Sequence, residues 1–140
     1  CVFQEGSDFN RGRSRSYPVF GNHRSAIRRT LGSPLVPFKH SSMVYRRAAM
    51  EELGGYDETL PIKVDVDLFL RFNARELNIA KLNETTSFHR KHARQISTDR
   101  LRGIKAYQRL MKAYEPNPVV RSFLYSTRIP AEFLKLLLRG

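Results

Sequence analysis

Several residue types and patterns are scarce in this chain of 140 residues. Its single cysteine, Cys1, excludes a disulfide within the chain and a cysteine-based zinc site. No window approaches the roughly 18 uninterrupted apolar residues of a membrane-spanning helix. No charged-then-apolar signal peptide opens the sequence, and the first residue is not Met, so we expect the chain to be a segment of a larger protein.

Acidic residues are also few, with 13 Asp and Glu against 25 Lys and Arg, and the net charge is +12. The cations concentrate in residues 11–30, which hold six Arg and no acid, and in residues 89–112, which hold eight Lys or Arg and one acid. Such a charge favours a polyanionic partner such as nucleic acid, anionic lipid or a phosphorylated small molecule. The alternative is a basic surface that contacts water and has no polyanionic partner.

Nucleic acid is the first of these partners to consider. No helix-turn-helix, zinc-finger, RRM or KH pattern accompanies the charge. Aromatic residues such as Tyr45, Phe69 and Phe72 lie in apolar runs instead of alternating with arginines as in a stacking surface. We therefore expect no nucleic-acid partner, and a basic nucleic-acid-binding module is kept only as an alternative function.

Apolar residues make up 41% of the chain, enough for a packed core. Helices are predicted at 22–31, where Asn22 can cap the start, and at 47–53, where Gly54 and Gly55 end the helix. Further helices are predicted from Asp65 onward, at 98–114 and at 129–139, the last opened by Pro130. Strands are predicted at 2–3, 38–45, 79–82 and 85–89.

The order and spacing of polar motifs between His40 and Ser97 carry the functional signal. The motifs are His40-Ser41-Ser42-Met43-Val44-Tyr45-Arg46-Arg47, Gly54-Gly55-Tyr56-Asp57-Glu58, Asp65-Val66-Asp67-Leu68-Phe69-Leu70-Arg71 and Arg90-Lys91-His92. In this order they resemble the acceptor-side half of the family 2 inverting glycosyltransferases of GT-A fold. Each motif taken singly is unspecific, and the resemblance lies in the combination over residues 2–97.

The resemblance implies an α/β fold class, namely a partial GT-A fold with a mixed sheet segment and helices. Residues 1–97 would form the C-terminal portion of the glycosyltransferase domain, and residues 98–140 a helical C-terminal extension. The nucleotide-binding half would lie N-terminal to Cys1, so this chain alone is expected to be inactive.

The resemblance also assigns chemistry to particular residues. Inverting transfer of a sugar to a hydroxyl needs a base that removes the hydroxyl proton, and the matching position makes Asp65 that base. Asp67 stays open as the alternative base, because Val64 stands where the family commonly has Glu. Acceptor or sugar contacts are expected at His40, Ser41, Gly54, Gly55 and Asp67, and contacts near the diphosphate or metal at Arg90 and His92.

Cofactor and partners follow from the same resemblance. A divalent metal, Mg²⁺ or Mn²⁺, is expected, with its main Asp-x-Asp ligands outside this chain. Asp65-Val66-Asp67 is not interpreted as that motif, because carboxylates two residues apart at a helix start diverge. The expected partners are a nucleotide-diphospho-sugar donor and a saccharide or lipid-linked acceptor.

The C-terminal segment leaves a third function open. The apolar residues between Pro130 and Arg139 can lie in a membrane interface or pack on the domain. We expect a cytoplasmic protein, with association at the inner, anionic face of a membrane as an option. A peripheral membrane-binding module without catalysis is therefore another alternative function.

Overall fold

The computed structural model describes residues 2–5, 13–14, 17–18, 20–81, 87–91 and 100–137. Five helices occur in this part of the chain: α1 (His23–Gly32), α2 (Arg47–Glu52), α3 (Val64–Ala74), α4 (Arg100–Tyr114) and α5 (Pro118–Leu137). A single 3-10 turn, His40–Ser42, precedes α2. Three strands of four residues or fewer, β1 (Val2–Glu5), β2 (Arg13–Ser14) and β3 (Phe88–Lys91), pair in the order β2-β1-β3.

The packed body is helical, and the expected α/β fold, a partial GT-A fold with a mixed sheet, is wrong. The described core draws its residues from helices and from the segments that connect them. The strand pairings, β1 antiparallel to β2 and parallel to β3, form only a small addition. A central sheet with helices on its faces, which an α/β domain requires, is not present in the described residues.

The segment 38–45 shows why the strand prediction failed. Phe38 is buried because its ring stacks on Phe69 of α3, with ring centroids 4.4 Å apart. The chain then turns through His40–Ser42, and Val44 is 95% exposed. The apolar residues of this segment therefore reflect packing against a helix, and periodicity alone cannot distinguish such a segment from a strand. Residues 79–81 also lie outside any strand, and residues 82–86 lie outside the described part.

Helix α3 is the centre of the body. It buries an almost continuous apolar run that includes Val66, Leu68, Phe69, Leu70 and Phe72. Helices α1 and α4 pack against α3, and α5 packs against α1 and α4. The predicted helical extension from residue 98 thus packs directly on the preceding helices, while the domain boundary near residue 97 falls outside the described residues and stays a prediction.

Local signals predicted most helix positions, and the structure confirms them. Asn22 caps α1 by accepting a hydrogen bond from the Ser25 backbone N–H at 2.7 Å. Gly54 and Gly55, with φ of 74° and 71°, end α2 in the left-handed conformation that glycine adopts without strain. The C-terminal helix differs, since it begins at Pro118 instead of Ile129. Pro118 occupies its first position and Pro130 lies inside it.

Candidate active site

The two carboxylates at the start of α3 have different environments. The residue before the helix, Lys63, has a positive φ of 67°, and Asp65 and Asp67 both lie in the first turn. Asp67 is 6% exposed, whereas Asp65 is only half-buried. The two side chains therefore diverge, which agrees with the interpretation that they do not form a metal-binding Asp-x-Asp motif.

Asp67 is held in a buried network. Its Oδ2 accepts a hydrogen bond from Arg71 Nε at 2.8 Å, and its Oδ1 accepts one from the Tyr114 hydroxyl at 2.8 Å. Arg71 Nη1 also donates to the Leu53 carbonyl at 2.6 Å. Burial, followed by the hydrogen bond to Asp67, raises the pKa of Tyr114. Both oxygens of Asp67 are thus engaged in joining α3 to α4 and to the end of α2.

Asp65 lies on another side of the helix, near Lys39, Tyr45 and Tyr107. Burial raises the pKa of Tyr45, and the charges of Tyr56 and Asp65 raise it further. Burial lowers the pKa of Lys39, and the Asp65 carboxylate opposes that change. Asp65 is therefore close enough to these three side chains to act on them electrostatically.

His40 connects this region to the glycine turn. Its Nε2 and the Tyr56 hydroxyl are 2.6 Å apart and share a hydrogen bond. The two rings meet edge to face with centroids 5.7 Å apart, and the Tyr45 ring lies 6.3 Å from His40. Tyr56 directly follows Gly55, so this contact fixes the glycine turn beside the 3-10 turn.

Gly54 and Gly55 leave space on the outside of that turn. Among the described residues, no heavy atom lies within 4 Å of the position that a Cβ would occupy at either glycine. Their positive φ values explain why glycine is needed here, and the open space lets a ligand approach the backbone. The next residue but one, Asp57, accepts hydrogen bonds from the Thr59 hydroxyl and backbone N–H, which lower the pKa of its carboxyl.

We call these residues together the Asp65 face: Lys39, His40, Tyr45, Tyr56 and Asp65, with the Gly54–Gly55 turn. Of the residues predicted from the motifs, His40 meets the glycine turn through its hydrogen bond with Tyr56. Asp65 belongs to the face through its electrostatic effect on Tyr45 and Lys39. Sequence reasoning did not single out Lys39, Tyr45 or Tyr56. Tyr45 and Tyr56 stand within the quoted motifs, and an aromatic residue beside a glycine pair was a usable signal.

The other predicted site residues are placed differently. Ser41 Oγ lies 3.5 Å from Ser87 Oγ, and Ser42 Oγ lies 2.5 Å from it, which ties the 3-10 turn to the residue before β3. Arg90 is in β3, paired with Gln4 of β1, and His92 lies outside the described residues. Asp67 belongs to its own network and not to the Asp65 face.

A second concavity, a cleft of about 330 Å³, lies between the start of α3 and α4. Its polar lining residues are Asp57, Asp67, Arg71, Arg109 and Tyr114. Arg109 Nη2 donates to the Thr59 hydroxyl at 3.0 Å and lies 3.8 Å from Asp57 Oδ2. Most of these side chains are bonded to one another, although Arg71 Nη2 is buried without a hydrogen-bond partner among the described residues. The cleft is therefore mainly a set of contacts that join the two segments.

The described residues do not form a site for the metal that the resemblance implies. Among the described residues, no group of three His, Cys, Asp or Glu side chains could hold a metal ion. In the same described ranges, none of the helices has both the length and the apolar character needed to cross a membrane.

Comparisons with known proteins add no relative. The chain matches no protein-family model, and no curated protein or solved structure matches it either. The resemblance to glycosyltransferases therefore rests on the sequence motifs alone.

Proposed function

We propose that the Asp65 face binds the acceptor of a sugar-transfer reaction and that Asp65 is its general base. The observation that carries this proposal is the contact of His40 with the glycine turn, made through the His40–Tyr56 hydrogen bond. Asp65, 25 positions after His40 in sequence, acts electrostatically on Tyr45, whose ring lies 6.3 Å from that of His40.

The chemistry of the face suits a polyhydroxyl acceptor. The Tyr56 hydroxyl and His40 can exchange hydrogen bonds with sugar hydroxyls, and the exposed part of the Tyr56 ring supplies an apolar surface for a sugar ring. The open turn at Gly54 and Gly55 lets backbone groups take part. A carboxylate beside the bound hydroxyl can then accept its proton as the new glycosidic bond forms.

The environments of the two acids favour Asp65 over Asp67 as the base. A general base must reach the proton that it accepts. Asp67 is buried, and both of its oxygens already accept charged or phenolic hydrogen bonds from Arg71 and Tyr114. Asp65 is half-buried and lies beside the aromatic residues of the face. We therefore assign a structural role to Asp67 and the proton transfer to Asp65.

The donor side of the reaction is proposed from the sequence resemblance alone. A nucleotide-diphospho-sugar would supply the sugar, and inversion follows from direct displacement at its anomeric carbon. Cations stabilise a developing diphosphate charge, and Arg90 and His92 are the residues that the resemblance names near the diphosphate.

Acceptor binding is tested with the isotopically labelled chain by NMR titration against a panel of hexose- and N-acetylhexosamine-terminated oligosaccharides. We expect amide shifts concentrated at residues 39–45, 54–57 and 64–66. Tyr56→Phe removes the hydroxyl that meets His40 and should weaken binding about tenfold, the loss of one to two hydrogen bonds. Thr127→Ala, an exposed change on α5, is the control. Shifts confined to other regions, or none with any saccharide, would overturn the proposal.

The role of Asp65 is tested separately in the full-length enzyme. Asp65→Asn should lower sugar transfer by about 10²- to 10⁴-fold, the usual contribution of general base catalysis, while leaving nucleotide-sugar binding intact. Transfer at the unsubstituted rate would refute the assignment of the base even if the acceptor binds at this face.

A further inference from the structure

Helix α5 turns a charged pair toward the protein interior and several large apolar side chains toward solvent. Arg128 and Glu132 are buried and paired with each other at 3.2 Å, and Arg121 turns inward to donate to the Glu115 carbonyl at 3.2 Å. The outward face carries large apolar side chains instead. Val119, Phe123, Phe133 and Leu134 are 76%, 66%, 45% and 55% exposed.

These exposed residues form one apolar stripe, which the exposed Ser126 and Thr127 interrupt between Phe123 and Pro130. Val119, Phe123, Pro130, Phe133 and Leu134 recur at helical spacing, so they share one side of α5. We call this set the α5 apolar face. An open apolar groove lined by Ile129, Pro130, Ala131, Phe133 and Leu134 runs along its C-terminal half. A helix of 20 residues is about 30 Å long, so the face is larger than scattered surface apolar residues would produce.

The neighbouring helix exposes a complementary feature. Helix α4 lies alongside α5, with the Tyr125 hydroxyl of α5 donating to the Gln108 carbonyl of α4 at 3.2 Å. Its exposed side carries four cations at helical spacing, which we call the α4 basic row: Arg102, Lys105, Arg109 and Lys112. Of these, Arg109 also donates to Thr59 beside Asp57. The acids between residues 100 and 137 are Glu115 and Glu132, and both are buried. The pair of helices therefore exposes cations and apolar groups but no acid.

We propose that the α5 apolar face and the α4 basic row together bind the surface of an anionic lipid bilayer. The apolar face would enter the boundary between headgroups and acyl chains, and the basic row would contact lipid phosphates. Both features are needed for stable binding at an interface, and here they lie on adjacent helices. This proposal is independent of the sugar-transfer function.

A second copy of the chain fits this surface less well. Pairing two apolar faces would also bring two basic rows together on molecules that each carry a charge of +12, and like charges repel. A bilayer containing acidic lipids offers hydrocarbon and negative charge at once. Charge complementarity therefore selects the membrane surface as the occupant.

The first experiment is sedimentation with phosphatidylcholine vesicles, prepared with and without phosphatidylglycerol, at physiological salt. We expect binding to the anionic vesicles. The pair Phe123→Ser and Phe133→Ser should weaken it at least about tenfold through lost apolar burial, and Lys105→Gln with Lys112→Gln should weaken it by a similar factor. Val44→Ser and Arg47→Gln, an exposed apolar residue and an exposed cation elsewhere, are the matched controls.

A second measurement reports insertion directly. The chain has no tryptophan, so one introduced tryptophan reports its own surroundings. The fluorescence of Phe123→Trp and of Phe133→Trp should shift to the blue with anionic vesicles, and that of Val44→Trp should not. These positions are exposed, so the variants are expected to fold, and circular dichroism checks this.

Three results would overturn the proposal. The first is the absence of vesicle binding. The second is binding that the Phe123→Ser and Phe133→Ser pair leaves unchanged, with no blue shift, because this would be charge attraction alone. The third is a dimer in light scattering that the same pair abolishes, without vesicle binding, because the face would then be an interface between copies.

Discussion

The substitution Asp67→Asn tests the separation of roles between the two acids of α3. In the folded chain Asp67 is 6% exposed and accepts hydrogen bonds from Arg71 and Tyr114. Asparagine keeps the shape but removes the charge, which leaves the Arg71 guanidinium without its counter-ion. Removing one partner of a buried pair typically costs about 3 to 5 kcal/mol. Arg71 is 21% exposed, so water offsets part of this, and we expect a loss of about 2 to 4 kcal/mol.

Urea unfolding followed by circular dichroism measures this loss. With a slope of about 2 kcal/mol per molar urea, the middle of the range for a small domain, the midpoint should fall by about 1 to 2 M. Asp65→Asn is the matched control at the same helix turn, and it should change the free energy of unfolding by about 0.5 kcal/mol or less. Equal effects of the two substitutions, or a stable Asp67→Asn variant, would refute the argument that Asp67 is structural.

Three further predictions concern stability. Gly32→Ala places a Cβ 2.6 Å from Leu124 Cδ2 and should cost about 1 to 3 kcal/mol, whereas Gly21→Ala, where that space is open, should not. Leu70→Ala should lower the free energy of unfolding by about 2 to 5 kcal/mol, since Leu70 is fully buried. An unchanged melting temperature for Gly32→Ala or for Leu70→Ala would contradict the packing described above. Burial would raise the pKa of Glu115, but the Arg28 hydrogen bond at 2.8 Å, the Asn117 backbone N–H and nearby arginines lower it overall. The free energy of unfolding should therefore fall as the pH drops below about 4.5, and this fall should be smaller in Arg28→Gln. A melting temperature of the unsubstituted chain that stays constant over this pH range would contradict the prediction.

The helices were predictable where the signal is local. The Asn22 cap, the Gly54–Gly55 stop and the acids at the start of α3 each act through groups within a few residues of the chain. The class of fold was not predictable in this way. The apolar residues of segment 38–45 alternate weakly, as in a strand, yet Phe38 is buried by stacking on Phe69, a contact between residues 31 positions apart. Such packing leaves no periodic trace in the segment itself.

The candidate site was partly predictable for a related reason. The motifs named His40, Gly54, Gly55 and Asp65 as a group, and the structure joins His40 to the glycine turn through the His40–Tyr56 hydrogen bond. The motifs also placed Asp67 in the group, and the structure separates it. Two acids two residues apart look equivalent in sequence, but their surroundings differ. Asp67 bonds with Arg71 of the same helix and with Tyr114 of α4, whereas Asp65 acts electrostatically on Lys39 and Tyr45 from an earlier segment.

Helix α5 shows why amphipathic periodicity does not determine which face of a helix lies in the core. Its ionic face is buried because Arg128 stacks on Tyr107, 3.7 Å from the ring centroid, and pairs with Glu132. A guanidinium over an aromatic face in a desolvated position is favourable by about 2 kcal/mol, and the pair neutralises the buried charge. The same rotation of the helix that buries Arg128 leaves Phe123 and Phe133 exposed. Much of the apolar surface of these two side chains therefore stays in contact with water in the isolated chain. Their exposure is therefore a cost that a bound apolar surface would remove, and the basic row of α4 fits the bilayer for that role.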